Sequence, residues 1–346
     1  IHERLVGSEM CIRDRTTGNL AFTAVQDVHL NAATTITTGT LTAVGGRHVN
    51  VNAASTVTTG NMVFRADNDG TGPGASAGTV AVTCGVNCLT ITTGELSIRF
   101  NPVSYATTAS EILAYATHLT GGGTLDAKAW VFGLGDDKLY DGTTSATVSG
   151  FIPDTTSVLP PVTLGAVSNA NFDTKHVGTA KPISFDTTFA DAAYELFAPL
   201  GTPTGTYQAR ADVLIRPLTV TASTDTRVYN GTTSSTGAAV VAGLQLGDTL
   251  NGALTQEFAS QDVLGTGNSL LVPNGTYAVS DGNGGNNYAV TVATAPGTIS
   301  PAPLTTTAQD IGKLYGLAPD LAGFTATGLV NGETVGSVTL TSAGQV

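Results

Sequence analysis

Cations are scarce in this chain, with 14 Lys and Arg against 26 Asp and Glu and a formal net charge of -12. Nucleic-acid phosphates are held by clustered cations, so that class of partner is excluded. Charged residues make up only 12% of the chain while hydrophobic residues make up 41%, which is the opposite of a disordered profile. No apolar run approaches the roughly eighteen residues that a membrane-spanning helix needs. There is no secretory signal with a basic start and an apolar core. The histidines are His2, His29, His48, His118 and His176, and no two of them have the HExxH spacing of a zinc helix. GxSxG elbows, Walker loops and a Cys-His nucleophile pair are also missing, so the sequence offers no catalytic residues, no metal ligand set and no cofactor site.

What is present is repetition. Lys138-Leu139-Tyr140-Asp141-Gly142-Thr143-Thr144-Ser145 returns 89 residues further on as Arg227-Val228-Tyr229-Asn230-Gly231-Thr232-Thr233-Ser234. A shorter copy, Lys313-Leu314-Tyr315-Gly316, follows the second by 86 residues. An apolar, Thr-rich lead-in starts at Pro217 and again at Pro303, each 12 residues before its tyrosine. A fixed spacing of this kind describes one folding unit used in series. In the lead-in, Leu218, Val220 and Ala222 should point inward, with Thr219, Thr221 and Ser223 outward. Asp-Gly and Asn-Gly are strong turn signals because they tolerate positive φ. The tyrosine before such a turn should pack its ring into its own unit and leave its hydroxyl at the rim. Replacing Tyr140 should then weaken the first unit alone.

These motifs resemble the YDG domain of large secreted bacterial adhesins. The first copy has the second landmark of that domain at Asn171 to Thr179; in the second copy it has drifted to Glu257 through Gly265, making this the more divergent. The third copy, Tyr315-Gly316 followed by Thr327 through Glu333, is similar to the MBG domain that trails YDG repeats, and it stops about halfway through. The resemblance covers roughly residues 126 to 346 and carries no catalytic residues with it. It implies a secreted or outer-membrane-associated location, an outer-membrane secretion partner, and a host or bacterial surface receptor, a glycan being one candidate class. With no signal segment present, the expectation is an internal piece of a longer chain.

The first fifteen residues hold six charged residues that cancel, and Ser8 to Arg15 resembles the translation of sequencing-adaptor DNA. They are set aside from fold reasoning. From Thr16 a second period begins: Thr-Thr-Gly starts at Thr16, Thr37, Thr58 and Thr92, at intervals of 21, 21 and 34 residues. The long interval contains the insertion Asn68 to Gly78. On the 21-residue step Val28 falls on Val49, Leu30 on Val51, Asn31 on Asn52, Ala32 on Ala53 and Ile36 on Val57. Coils of this length with β-branched segments and a Gly turn predict a parallel β-helix, its equivalent side chains stacked in columns. The arrangement is similar to the stalk of filamentous-haemagglutinin-like proteins exported by two-partner secretion. Ala109 to Ala116 reads as one or two helical turns with Ser110 as a weak cap.

The expected fold is all-β: residues 16–125 a parallel β-helix and transition, 126–216 and 217–302 YDG-type domains of β-sandwich or β-grasp kind, and 303–346 a truncated MBG-type domain. Asp67-Asn68-Asp69-Gly70 and Asp281-Gly282-Asn283 begin like calcium loops but lack the distal bidentate carboxylate, and plain turns are the preferred reading. Asp27 and Glu95 lie three coils apart, about 14 Å along the axis, too far for glycoside chemistry. Cys84 and Cys88 would be roughly 13 Å apart in a continuous strand, beyond the roughly 7 Å limit for a disulfide. Gly85 and Asn87 are turn formers that fold the segment back, and a disulfide is predicted. The function expected is that of a structural stalk supporting adhesion. The competing class is a carbohydrate-binding module with Trp130, Tyr194 and Phe197 as stacking faces.

Overall fold

The computed structural model describes residues 17–245 and 247–343. The first fifteen residues lie outside that range. Contacts divide the chain into two compact units, one running to Leu139 and resuming over Thr143–Leu214, the other formed by Tyr140–Gly142 with the residues from Ile215 onward.

In the first unit short strands stack in parallel, coil upon coil. One sheet runs in the order Leu20–Ala24, Leu41–Gly45, Met62–Arg65, Glu95–Phe100, Thr124–Val131 and Tyr194–Leu196. A second sheet holds Val28–Leu30, Val49–Val51 and Val80–Val82, and a third holds Thr34–Thr38, Ser55–Thr59, Leu89–Thr93 and Leu119–Gly121. The pairing reproduces the 21-residue register, with Leu20 on Leu41 on Met62, Val28 on Val49 and Ile36 on Val57. Alternation within each strand sends these residues inward, where they form buried columns. The fold is therefore all-β with a parallel β-helix-like segment, as expected.

The Thr-Thr-Gly corners show why glycine recurs. Gly39, Gly60 and Gly94 have φ of +140°, +133° and +140°. A Cβ built on Gly60 would lie 1.8 Å from the carbonyl oxygen of Gly39, and one on Gly94 would lie 1.8 Å from that of Gly60. Strain and backbone collision act together there, so Gly60→Ala should destabilise this unit by about 3 kcal/mol. Denaturant unfolding followed by Trp130 fluorescence measures it, and a loss under about 0.5 kcal/mol, the scale of a bland surface change, would mean the corner has slack.

Polar columns run beside the apolar ones. The Asn52 amide donates to Asn31 Oδ1 at 2.7 Å, and Thr83 Oγ1 continues the ladder by donating to Asn52 Oδ1 at 2.6 Å. On another corner Asp27 takes Arg47 through both oxygens, at 2.9 and 2.7 Å, and also the backbone N–H of His48. The insertion after Met62–Arg65 is held by Asp67, a fully buried residue with φ of +51°. Its carboxylate accepts from the Thr71 N–H and hydroxyl, both at 2.9 Å, and from the Asn101 amide at 2.8 Å.

The helix Thr108–Ala116 has Thr107, not Ser110, at its N-cap; no side chain caps it there, and Thr107 Oγ1 donates to Glu111, which also accepts the Val103 N–H. Its Tyr115 packs edge-on against Phe100 at 5.0 Å and donates to the Val80 carbonyl at 2.8 Å. Strand Thr124–Val131, which contains Asp126, continues the coil ladder. Trp130 near its end forms an aromatic core with Phe132 and Phe197. The remainder of this unit is a mixed sheet in which Thr206–Leu214 pairs with Gly178–Asp186 on one side and with Gly133–Gly135 and Lys138–Leu139 on the other.

The second unit has two main sheets. One has the order Val240–Ala242, Arg216–Thr221, Tyr288–Ala293, and the other the order Thr226–Val228, Ala295–Ser300, Ser269–Gly275, Leu254–Phe258. Leu218, Val220 and Ala222 are buried, in keeping with their alternation. Ala222, Phe258, Leu271, Ala295 and Ile299 form a core against which Tyr229 is partly buried. A hairpin of Thr305–Ala308 and Phe324–Thr327 follows.

Candidate functional site: the tyrosine turns

The three copies of the aromatic turn share local geometry. Gly142, Gly231 and Gly316 have φ of +80°, +73° and +84°, which is the positive-φ backbone that the Asp-Gly and Asn-Gly text demands. The fates of their tyrosines differ.

Tyr140 is fully buried, and it is buried in the second unit rather than the first. Its O–H donates to Asp248 Oδ2 at 3.0 Å, and its ring stands edge-on to that of Tyr288, centroids 5.4 Å apart. The Tyr288 O–H donates to the same Asp248 oxygen at 2.6 Å and accepts the Gln245 N–H at 2.9 Å. Arg216 donates to the Tyr140 carbonyl at 3.2 Å. Burial first, then the hydrogen bond to Asp248, push the Tyr288 phenol well above its ordinary value. Two phenols on one buried carboxylate oxygen satisfy a charge that is otherwise costly to bury. The hydroxyl of Tyr140 therefore does not sit at a rim, because a buried acid is there to receive it.

Tyr229 is half-buried, its O–H donating to Glu333, and the Asn331 amide donates to the Gly231 carbonyl. The Glu333 hydrogen bond raises its phenol, burial adding to it. Tyr315 is fully exposed at 105% relative accessibility. Asn230 spends its side chain locally, accepting from the N–H and hydroxyl of Thr232. Asp248 and Glu333 were not singled out from the sequence. The signal was available in Gly247-Asp248-Thr249 and Gly332-Glu333-Thr334, an acid between Gly and Thr in both, 85 residues apart.

The other candidates resolve as follows. Cys84 and Cys88 are joined in a disulfide, their Cα atoms 5.8 Å apart across a turn with Gly85 and Asn87 at φ of +104° and +56°. Peptide mapping without reductant of protein produced in an oxidising compartment should find the two cysteines in one linked peptide; two free thiols there would contradict the bridge. Trp130, Phe197 and Tyr194 are 0%, 1% and 8% exposed. They are core residues, Trp130 donating to the Ala66 carbonyl at 2.9 Å beneath the guanidinium of Arg65, and they present no stacking face. Asp281 turns its carboxylate onto the N–H groups of Asn283, Gly285 and Asn287. An open groove of about 510 Å³ lined by Pro161, Thr163, Phe189 and Asp191 lies in the first unit. Among the described residues no three His, Cys, Asp or Glu side chains gather in metal-binding geometry, and no helix is long and apolar enough to cross a membrane.

A model of the YDG domain matches residues 215–296. A YDG domain is therefore present, on the second copy of the repeat, although its second landmark has drifted. No curated protein and no solved structure matches the chain.

Proposed function

We propose that the chain is a spacer region of a secreted or surface-attached bacterial adhesin of the filamentous-haemagglutinin-like kind. In this reading a β-helical shaft is followed by YDG-type repeats and an MBG-type repeat, and their work is to hold a binding region away from the cell. The observation that carries it is the use made of the aromatic turns. In the first two copies the tyrosine that would be the natural contact for a ligand is spent on packing, fully buried at Tyr140 and half-buried at Tyr229, while Tyr315 of the third copy is exposed. Serial β-repeats, with a polar ladder such as Asn31–Asn52–Thr83 bracing the coils, suit a mechanical task, and the reading assigns no catalysis. The Cys84–Cys88 bridge supports an oxidising exterior, which suits export across the outer membrane by a dedicated partner.

A glycan array probed with the whole chain tests this. The spacer reading expects no reproducible selective binding. Selective retention of one glycan class would replace it with a lectin, whose contact surface would then have to avoid the buried rings of Trp130, Tyr194 and Phe197.

A further inference from the structure

The Tyr140 arrangement has a counterpart elsewhere in the chain. Asp248 and Tyr288 are 40 residues apart and together enclose the incoming Tyr140. Asp154 and Tyr194, also 40 residues apart, enclose an incoming Tyr105 in the first unit. Tyr105 is 3% exposed, and its ring stands edge-on to that of Tyr194 with centroids 6.2 Å apart. The Tyr105 N–H donates to Asp154 Oδ2 at 2.8 Å, and the Tyr194 O–H donates to the Tyr105 carbonyl at 3.2 Å. Both receiving tyrosines follow an aspartate that caps the loop before them. Asp191 accepts the N–H groups of Ala193 and Tyr194, and Asp281 accepts that of Asn287, next to Tyr288. A third acid, Glu333, accepts the hydroxyl of Tyr229.

We infer that the acid and the tyrosine forty residues after it form a recurring socket for a tyrosine carried by an earlier segment of chain. Tyr105 and Tyr140 are its occupants, while Tyr229 meets an acid alone, Glu333. The contact to the acid differs in detail, since Tyr140 and Tyr229 use the phenol whereas Tyr105 uses its backbone N–H and sends its hydroxyl to the Trp130 carbonyl. What recurs, where the receiving tyrosine is present, is a ring held edge-on to it while a donor of the incoming segment meets a carboxylate. Such pairing is worth more than ring burial alone, because hydrogen bonds to charged acceptors are the strong ones. The inference concerns how repeats recognise one another and stands whether the array is a spacer or a lectin.

Nitration of the whole chain by tetranitromethane, mapped by peptide mass, tests it. In the native chain Tyr315 should react first, with Tyr105, Tyr140, Tyr194 and Tyr288 at least about ten-fold slower. Asp248→Asn should raise the rate at Tyr140 and Tyr288 by about ten-fold, the scale of one charge-assisted hydrogen bond, and leave Tyr105 and Tyr194 unchanged. Asp154→Asn should do the converse. Should Asp248→Asn unfold the unit, Tyr288→Leu keeps the acid and removes the edge-on ring, and should still expose Tyr140 selectively. Wild-type protection of Tyr140 in both variants would overturn the inference, as would loss of protection at Tyr105 and Tyr140 together in either.

Discussion

Tyr140→Ala should lower the stability of the second unit by about 3 to 5 kcal/mol, the usual range for emptying a buried aromatic site. It should leave the first unit in place. The reasons are that Tyr140 is fully buried beside Tyr288 and that its hydroxyl shares Asp248 with that ring, so truncation opens a cavity and removes a donor from a buried carboxylate. The chain has a single tryptophan, Trp130, in the core of the first unit, so tryptophan fluorescence reports that unit alone. Tyrosine near-ultraviolet circular dichroism follows both units, so a transition seen there and absent from the fluorescence belongs to the second. The expected result is an early near-ultraviolet transition with an unmoved fluorescence transition. A shift of the fluorescence midpoint instead would place the ring where the repeat period suggested, in the first unit.

The second large effect is a loss of stability as pH rises through the neutral range, centred on Asp67. Burial raises its carboxyl from 3.8 to about 7, outweighing the hydrogen bonds from Asn101 and Thr71 that favour the ionised form. The sign follows from proton counts. Between those two values the unfolded chain has released this proton and the folded chain still holds it, so raising the pH favours unfolding. The stabilisation is complete below about pH 4 and gone above about pH 7. Asp154 acts in a different window. Burial pushes it up, but hydrogen bonds led by Ser104 and the Val158 N–H outweigh this and hold it below the usual carboxylate range, so its contribution disappears only as pH falls below about 4. Denaturant midpoints read by Trp130 fluorescence should therefore be highest near pH 4 to 5 and decline toward pH 8. Asp67→Asn should flatten that decline while keeping the amide contacts to Thr71. A wild-type profile already flat from pH 5 to 8 would show the buried carboxylate to be ionised throughout.

The β-helical half was legible because its determinants are local and repeated. A coil of 21 residues puts each side chain directly above its equivalent, so aligning the sequence on itself is the same operation as pairing the strands. Val28 on Val49, Ile36 on Val57 and the Asn31–Asn52 ladder were all readable in that way. The inward face of Leu218, Val220 and Ala222 followed from alternation alone. The turn at each tyrosine was equally legible, since positive φ at Gly142, Gly231 and Gly316 is set by residues next to one another.

Where each tyrosine goes was not a local matter. Three nearly identical stretches of text leave one ring fully buried, one half-buried and one exposed, because the deciding partners lie far along the chain: Asp248 is 108 residues from Tyr140 and Glu333 is 104 from Tyr229. Similarly, Trp130, Tyr194 and Phe197 looked in sequence like a face for a sugar and are in fact core residues. An isolated aromatic carries no sign of which side of a strand will be covered, and covering is supplied by segments brought in from elsewhere. The sequence by itself determined the coil period, the strand alternation and the turns, which depend on neighbours and on equivalents one repeat away. Only the tertiary structure decided which acid meets which phenol and which aromatics are buried, because those outcomes depend on chain segments that meet across a hundred residues without any short-range pattern linking them.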